Sequence, residues 1–439
     1  MLPKLYFIKT FGCQMNISDS ERIASFLEKN NYNPASKITE ADLVIFNTCG
    51  IRQMAEDKAY GQIHNLRKNN PKIKIILTGC LANRKDVQKR LKDKVDLFCE
   101  IKNVESIMNY VSSMDIKKIH TTSYIIPDTS ILNCNHLSNT PKYTKTYRAL
   151  VPIMTGCNNF CSYCVVPYAR GREVSRPAEE IITEIKILIK SGCKEITLLG
   201  QNVNSYNHKE TTFPKLLRKI EKIPGHFWIR FMSSHPKDFS DELIETVVRL
   251  KKVCEHIHLP IQAGSDEILA AMNRKYSAKH YLGLIRKIRS TFKKYKPNAP
   301  YSLTSDIIVG FPGETKKDFL ESAKIMEKVK YDLVYFGQFS PRPGTVAWKM
   351  KDTVLKSEKS RREKFLNEIL KKTAFSNNKK YIGKTLEVLI NQEKDEFYFG
   401  RTRSGKDVKI KTDQKNLVGT FTKAKITKSN TWNLEASLI

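Results

Sequence analysis

The chain repeats one unit up to about residue 110: an apolar run passes through a short polar loop into a helical stretch. Strand, loop and helix in this order build a parallel sheet, which binds ligands where its strands end. The runs are residues 5–9, 42–46 and 72–77, and the helical stretches are residues 18–30, 54–69 and 85–92. This alternation predicts an α/β fold with an N-terminal parallel α/β domain.

The same alternation resumes at Arg148 and continues through the middle of the chain. Its predicted strands lie near residues 148–154, 195–199, 227–232, 255–259, 301–309 and 333–339. Helical stretches such as Ala178 to Lys190 and Lys316 to Val329 separate them. Six such units predict a partial, open (β/α)6 barrel with its site at the strand carboxyl ends.

The pattern changes after a long basic helix at residues 357–381. Short runs at residues 385–390, 397–402 and 423–427, with turns between them, predict a small antiparallel β-barrel. Residues 376–439 carry 13 Lys and Arg against 7 Asp and Glu. Such an excess favours phosphate contacts with RNA, and a structural cap on the central barrel is the alternative.

Cys157, Cys161 and Cys164 form a CxxxCxxC triad directly after the first strand of the predicted barrel. Soft thiolates suit an iron–sulfur cluster or zinc. A closed zinc site takes four protein ligands, and the flanking sequence offers no fourth Cys or His at metal-site spacing. We therefore expect a cluster with one open iron, and a zinc knuckle or three buried thiols remain the alternatives.

Cys13, Cys49 and Cys80 form what we call the N-terminal triad, because each follows one of the N-terminal strands. Parallel strands end along one edge of a sheet, so the three thiols are expected to meet there. The predicted topology thus makes a second three-thiolate site. Three separately buried thiols are the alternative, which leaves their shared placement unexplained.

The strings TFGCQMNISDSE, NTCGIRQMAEDKAYGQI and TGCLANR resemble the N-terminal domain of the methylthiotransferases. TGCNNFCSYCVVPYARGREVSRP resembles the cluster loop of the radical S-adenosylmethionine enzymes, and the last module resembles the OB-like TRAM domain. The resemblance covers the whole chain. It implies a methylthiotransferase domain at residues 1–118, a connector at 119–142, a radical S-adenosylmethionine core at 143–375 and a TRAM RNA-binding domain at 376–439.

The resemblance implies two [4Fe–4S] clusters, with S-adenosyl-L-methionine as both radical source and methyl donor. The CxxxCxxC triad would hold the radical cluster that coordinates S-adenosylmethionine, and the N-terminal triad would hold the auxiliary cluster that carries the sulfur. No side chain has a predicted catalytic role beyond the clusters. Cofactor contacts are expected after the second and fifth barrel strands, from Gly200, Gln201, Asn202, Gly310, Gly313 and Glu314.

Within the family, VVPYARGREVSRP, SSHPKDFSDELIE and LPIQAGSDEILAAMNRKY look most like enzymes acting on isopentenylated tRNA. The implied reaction is methylthiolation at C2 of N6-(dimethylallyl)adenosine at position 37 of tRNA, beside the anticodon. The alternatives are N6-threonylcarbamoyladenosine in tRNA and an aspartate of a ribosomal protein. A non-catalytic iron–sulfur RNA-binding protein is an alternative of another class, and it would not need an open iron.

Charge and composition bear on partners and location. The net charge of +31 favours a polyanionic partner, although a lysine-rich genome would produce the same number. The sequence contains no apolar run of membrane-spanning length and no signal-peptide core. We expect a cytoplasmic monomer that binds the tRNA anticodon region, an electron donor of the flavodoxin or ferredoxin type, and a sulfur source.

Overall fold

The computed structural model describes residues 4–50, 53–103, 106–107, 109–110 and 141–439. Most of the expected connector, residues 119–140, lies outside the described residues. The chain divides into two compact units. Unit 1 comprises Met1–Thr144, Met154–Arg176 and Ser340–Trp348, and unit 2 comprises Lys145–Ile153, Pro177–Phe339 and Lys349–Ile439.

Strands and helices alternate through most of the described chain. The strands are β1 (Lys4–Thr10), β2 (Tyr32–Pro34), β3 (Leu43–Thr48), β4 (Lys74–Gly79), β5 (Leu97–Phe98), β6 (Arg148–Pro152), β7 (Met154–Thr155), β8 (Val174–Ser175), β9 (Glu195–Leu199), β10 (Asn207–His208), β11 (Thr211–Thr212), β12 (Trp228–Phe231), β13 (His256–His258), β14 (Ser302–Val309), β15 (Leu333–Gln338), β16 (Thr385–Lys394), β17 (Phe397–Thr402), β18 (Asp407–Lys411), β19 (Phe421–Ser429) and β20 (Asn433–Leu438). The helices are α1 (Gln14–Lys29), α2 (Gln53–Asn69), α3 (Lys85–Leu91), α4 (Val166–Arg170), α5 (Ala178–Lys190), α6 (Phe213–Glu221), α7 (Asp241–Arg249), α8 (Asp266–Ala271), α9 (Ala278–Tyr295), α10 (Lys316–Val329) and α11 (Lys356–Lys379). No helix in these ranges is long and apolar enough to cross a membrane.

Unit 1 is built on a parallel sheet of order β2-β1-β3-β4-β5. Alternate residues of β3 enter two cores: Val44 and Phe46 join one, and Leu43 and Ile45 join the other. Both faces of the sheet are therefore buried, as the continuous apolar runs require. The predicted N-terminal parallel domain is confirmed.

Unit 2 contains six parallel strands in two hydrogen-bonded groups, β6-β9-β12 and β13-β14-β15. An isolated parallel bridge between Ile229 and Val253 leads from the first group to the second, so the strands follow in chain order. Serine or threonine side chains cap α7, α8, α9 and α10 by accepting a backbone N–H bond. This is the predicted open (β/α)6 arrangement.

The last strands of unit 2 form a closed barrel of order β16-β17-β18-β20-β19. Its interior is lined by small and branched side chains, among them Val388, Ile390, Ile410 and Leu434. The pairs are antiparallel except for β18 with β20. The small C-terminal barrel is therefore also confirmed.

Candidate cluster sites and cofactor loops

The N-terminal triad lies at one edge of the unit 1 sheet. The strands β1, β3 and β4 are neighbours, and the three cysteines follow their carboxyl ends. Cys13 is the N-cap residue of α1, where the helix dipole is favourable for an anionic ligand. The backbone N–H of Cys80 donates to the carbonyl of Thr48, at 2.9 Å. The structure thus brings together three residues that are far apart in sequence.

Glycines allow the three cysteine loops to approach one another. A Cβ atom at Gly12, which has φ of +120°, would lie 2.5 Å from Cβ and 3.1 Å from Sγ of Cys49. A Cβ atom at Gly50 would lie 3.3 Å from Cβ of Cys80. The Cys49 loop therefore lies against the loops of both other cysteines. A larger residue at position 12 would also be strained by its backbone conformation.

Two buried asparagines support this edge of the sheet. Asn16 Nδ2 donates to Asn47 Oδ1 at 2.9 Å, and Asn47 Nδ2 donates to the carbonyl of Asn16 at 2.8 Å. The Cys13 thiol donates to Asn16 Oδ1 at 3.2 Å. Neither asparagine had a predicted role, although both stand within the strings that carry the family resemblance. Both side chains are fully buried, and burial of a polar side chain is visible only in the folded structure.

The donor set of this edge fits an iron–sulfur cluster. Within the described ranges, no three Cys, His, Asp or Glu side chains are arranged to hold a single metal ion. A cubane takes one thiolate at each ligated iron, so its thiolates need not converge on one point. The three thiols match that requirement, because they lie on separate loops that glycines allow to approach one another. Cys13 also lies at the N-terminus of α1. Buried Arg170 adds positive charge nearby. Burial lowers its pKa, but Asp19 first, and then Cys80 and Cys13, raise the pKa above its usual value.

The CxxxCxxC triad lies on the loop between β7 and α4, in unit 1. The backbone N–H of Cys157 donates to the carbonyl of Gly171 at 3.2 Å, and that of Cys164 donates to the carbonyl of Cys161 at 2.9 Å. Gly156 has φ of +77°, and a Cβ atom there would lie 2.0 Å from the carbonyl oxygen of Arg172. Only glycine permits this close return of the chain. Hydrogen bonds therefore close the loop around its thiols.

The thiols of this loop are mostly shielded from solvent. Cys157 and Cys161 are buried, and Cys164 is partly exposed. Burial raises the pKa of the Cys157 thiol, and the neighbouring Cys161 raises it further. Phe160 lies between Cys157 and Cys161 in sequence, and the guanidinium of Arg172 lies 4.4 Å from the centroid of its ring. The loop therefore shields two of its three thiols from solvent.

The segment Ser340–Trp348 also belongs to unit 1. Arg342 Nη1 donates to Gln53 Oε1 of α2 at 2.5 Å and lies 4.0 Å from Glu56 Oε2. The N–H of Ala347 donates to the carbonyl of Ser162 at 2.7 Å. This segment therefore contacts both the helix after Cys49 and the CxxxCxxC loop. From the sequence, residues 340–344 were expected to follow a barrel strand and to line the nucleotide site, with no chemical role assigned.

The first predicted cofactor loop follows β9 in unit 2. Gln201 Oε1 and Asn202 Oδ1 are buried and accept no hydrogen bond within the described structure, and the same holds for Ser234 Oγ after β12. Asn202 Nδ2 is held by Asp238 Oδ2 at 2.8 Å. Buried polar atoms without partners are costly. Their place at the carboxyl ends of adjacent strands fits a polar ligand such as S-adenosylmethionine.

The second predicted cofactor loop follows β14, also in unit 2. Gly310 N–H donates to Glu314 Oε2 at 2.8 Å, and Arg362 Nη1 donates to the same oxygen at 2.6 Å. Burial raises the pKa of Glu314, although Arg362 and Gly310 act in the opposite direction. Glu314 therefore stabilises the loop by linking the backbone of Gly310 to Arg362. Gly313, with φ of +85°, has no atom within 4 Å of a Cβ placed there, which leaves its backbone accessible.

Three family descriptions match the chain in order. The uncharacterized protein family UPF0004 matches residues 5–100, the Radical SAM superfamily matches residues 151–326, and the TRAM domain matches residues 379–439. These ranges correspond to the N-terminal sheet, the six-strand core up to α10, and the closed barrel.

Curated relatives extend over nearly the whole chain. The tRNA-2-methylthio-N(6)-dimethylallyladenosine synthase of Thermoanaerobacter pseudethanolicus is 42% identical over 99% of this chain and 92% of that protein. The enzyme of the same name from Clostridium botulinum is 42% identical over 98% of this chain and 96% of that protein. The one from Acetivibrio thermocellus is 41% identical, covering 99% and 91%.

Solved structures show a related fold. The radical S-adenosylmethionine methyltransferase TsrM from Kitasatospora setae, with cobalamin and a [4Fe-4S] cluster bound, has a TM-score of 0.57 at 12% identity and covers 79% of this chain and 77% of that chain. The cobalamin-dependent radical enzyme OxsB has a TM-score of 0.52 at 11% identity and covers 84% and 56%. At these identities the likeness concerns the fold alone.

Proposed function

Because the chain belongs to the tRNA-2-methylthio-N(6)-dimethylallyladenosine synthase family of radical S-adenosylmethionine enzymes, we propose the following assignment of its residues. The enzyme methylthiolates C2 of N6-(dimethylallyl)adenosine at position 37 of tRNA, using S-adenosylmethionine and iron–sulfur chemistry. The CxxxCxxC triad holds the radical [4Fe–4S] cluster, and the N-terminal triad holds a second, auxiliary one. The observation that carries this assignment is the placement of Cys13, Cys49 and Cys80 on adjoining loops at one sheet edge.

When bound, the two clusters and S-adenosylmethionine supply the radical, the sulfur and the methyl group. The protein's own residues bind, orient and exclude water. The N-terminus of α1 and Arg170 place positive charge beside the auxiliary thiolates. Gln201, Asn202 and Ser234 offer unpaired polar atoms to S-adenosylmethionine, and Gly313 offers backbone for close approach. Gly310 serves the loop instead, because its N–H is bound by Glu314 and the side chain of Lys359 covers it.

Exposed apolar side chains support a prenylated substrate. Met54, Val346 and Trp348 are each more than half exposed. They lie on α2 and on the segment joined to it by Arg342 and Gln53. Burial of a dimethylallyl group against such side chains stabilises the complex by about 0.8 kcal/mol per CH₂. A flipped adenine also needs a stacking partner, and we assign that role to the exposed indole of Trp348.

The partners follow from the same assignment. The TRAM barrel contacts tRNA phosphates and adds affinity with little sequence information. A tRNA substrate places the reaction in the cytoplasm. A reductant of the flavodoxin or ferredoxin type and a sulfur source complete the reaction, and the enzyme works as a monomer.

The test is mass spectrometry of tRNA nucleosides from a strain that lacks the gene. We expect 2-methylthio-N6-(dimethylallyl)adenosine to disappear and N6-(dimethylallyl)adenosine to accumulate. Wild-type protein should restore the product, and a variant with Cys157, Cys161 and Cys164 changed to Ala should not. Loss of the methylthio group from N6-threonylcarbamoyladenosine instead, or from a ribosomal-protein aspartate, would overturn the substrate assignment.

A further inference from the structure

A buried ion pair joins the helix after the CxxxCxxC loop to the helix after Cys13. Arg170, the last residue of α4, donates through Nη2 to Asp19 Oδ2 of α1, at 2.7 Å. The side chains are 2% and 0% exposed. Burying two charges is unfavourable unless their remaining hydrogen-bonding atoms are also satisfied. Such a pair therefore needs further hydrogen-bond partners if it is to stabilise the contact between α4 and α1.

The remaining atoms of this pair are not satisfied. Arg170 Nη1 and Asp19 Oδ1 are buried, and neither has a hydrogen-bond partner in the described structure. A guanidinium N–H left without an acceptor inside a protein is rare, because its desolvation is then uncompensated. The free Nη1–H of Arg170 indicates that this site is completed by a group that accepts a hydrogen bond.

The surroundings of Arg170 identify the acceptor. Val165, the N-cap residue of α4, lies beside Gly50: a Cβ atom there would be 3.3 Å from both Val165 Cγ2 and Cys80 Cβ. Helix α4 thus packs on the loops of Cys49 and Cys80. The guanidinium interacts electrostatically with the sulfurs of Cys80 and Cys13. The neighbouring acceptors are therefore sulfur atoms of the N-terminal triad, and of any cluster bound to it.

We propose that Arg170 is a positioning residue for the auxiliary cluster, with Nη1–H donating a hydrogen bond to a cluster sulfur while Asp19 holds the guanidinium in place. This inference rests on the proposed function, since it requires a cluster on the N-terminal triad. A cation and an N–H···S bond both stabilise the more negative, reduced cluster. Arg170 therefore raises the reduction potential of the auxiliary cluster.

The arrangement links the two cluster sites. Arg170 comes shortly after Cys164 in sequence, so the segment that binds one cluster carries the cation that serves the other. Lysine is a poor replacement, because a single ammonium group lacks the planar fork that binds Asp19 and a sulfur atom together. Glutamine keeps one donor and removes the charge.

The experiment measures the midpoint potential of the auxiliary cluster alone. Full-length protein with Cys157, Cys161 and Cys164 changed to Ala is reconstituted anaerobically and titrated potentiometrically with an EPR readout. We expect Arg170→Gln to lower the midpoint potential and Arg170→Lys to lower it less. Arg67→Gln is the matched control: it removes the same charge at the amino-terminal edge of the same sheet, where Arg67 pairs with Asp96. That variant should keep the parent value.

Iron content separates the inference from the function on which it rests. A parent protein without about four irons, the content of one [4Fe–4S] cluster, would overturn the auxiliary site itself. If Arg170→Gln retains that iron and the parent midpoint potential, the auxiliary site stands and the role of Arg170 is wrong. If Arg170→Gln does not load iron, Arg170→Lys decides: a midpoint potential equal to the parent's overturns the proposal, and a lower one supports it.

Discussion

The indole of Trp228 lies against the ring of Phe421, with the centroids 4.8 Å apart. Trp228 belongs to β12 of the six-strand core, and Phe421 belongs to β19 of the closed barrel. Trp228 Nε1 also donates to Glu387 Oε2 of β16, at 3.0 Å. The small barrel therefore covers part of the core of unit 2 and acts as a structural cap on it.

Polar contacts reinforce this junction. Arg403 Nε donates to Glu255 Oε2 at 2.8 Å, and Arg230 Nη2 donates to the carbonyl of Thr402 at 2.7 Å. Lys406 Nζ lies 2.6 Å from Asp332 Oδ1, and both side chains are largely buried. Deleting residues 376–439 would remove these partners of Arg230, Glu255 and Asp332 in the core. Truncation is therefore a poor way to isolate RNA binding.

We predict that Trp228→Ala destabilises the protein by about 3 to 5 kcal/mol, because it removes a fully buried indole and opens a cavity at this junction. Thermal unfolding followed by circular dichroism measures the effect. The matched control is Trp432→Ala, since Trp432 is 48% exposed and such surface changes alter stability by only about 0.5 kcal/mol. Equal melting temperatures for the two variants would contradict the junction described here.

Much of the fold could be predicted from the sequence because local periodicity and long-range pairing agree. Helices α5 and α10 have the predicted bounds, Ala178–Lys190 and Lys316–Val329. The predicted start of α1 at Ser18 was wrong: the helix begins at Gln14, and Cys13 is its N-cap residue. Strands β2 and β5, of three and two residues, are too short to leave a periodic pattern. They form only because β1 and β4 offer them an edge with which to pair.

The positions of the cysteines were predictable because parallel topology fixes where strands end. The pairing of Arg170 with Asp19 was not, since the two residues are 151 positions apart and each would suit a solvated helix. Glu314 was expected to contact the cofactor, and in the structure its carboxylate is held by Arg362 and Gly310. Such contacts depend on how helices that are distant in sequence pack together in the folded protein. A local sequence pattern contains no information about that packing.

We predict that anaerobically reconstituted protein holds about eight irons, and that changing Cys157, Cys161 and Cys164 together to Ala leaves about four. The reason is that each triad holds its own [4Fe–4S] cluster. The same triple variant should no longer cleave S-adenosylmethionine. Iron and sulfide determination measures the first effect, and chromatography of 5′-deoxyadenosine measures the second. Unchanged iron content would refute the assignment of the CxxxCxxC loop.

We predict a different outcome when Cys13, Cys49 and Cys80 are changed together to Ala. The methylthiolated nucleoside should no longer form, because the auxiliary cluster is lost, while reductive cleavage of S-adenosylmethionine remains measurable. Changing Cys193 and Cys254, which are buried in unit 2, to Ala controls for general loss of thiols. The proposed division between the triads fails if cleavage stops while the EPR signal of the radical cluster is intact.

We predict that changing Lys423 and Lys425 to Glu weakens tRNA binding and reduces its dependence on salt. Both lysines are exposed on β19, and neither forms an ion pair within the described part of the chain. Loss of phosphate contacts lowers the slope of log K against log salt by about 0.9 per contact. Lys293→Glu with Lys294→Glu on α9 changes the net charge equally and serves as the control. If both pairs have the same effect, net charge and not this strand determines binding.

The final prediction concerns acid stability and His235, which follows β12. Burial, together with nearby Arg274 and Lys237, lowers the pKa of His235 from 6.5 to about 2, and its Nδ1 accepts the N–H of Lys237 at 3.1 Å. The neutral imidazole stabilises the native state above pH 6.5. As the pH falls from 6.5 towards 2, only the unfolded state takes up the proton, so the free energy of unfolding falls by about 1.4 kcal/mol per pH unit.

The variant His235→Asn keeps a hydrogen-bond acceptor but cannot be protonated. Its melting temperature, measured by differential scanning fluorimetry, should therefore fall less than that of the wild type between about pH 7.5 and about pH 5.5. His64→Asn on the exposed face of α2 should behave like the wild type, and an equally acid-sensitive His235→Asn would show that other groups control stability in this range.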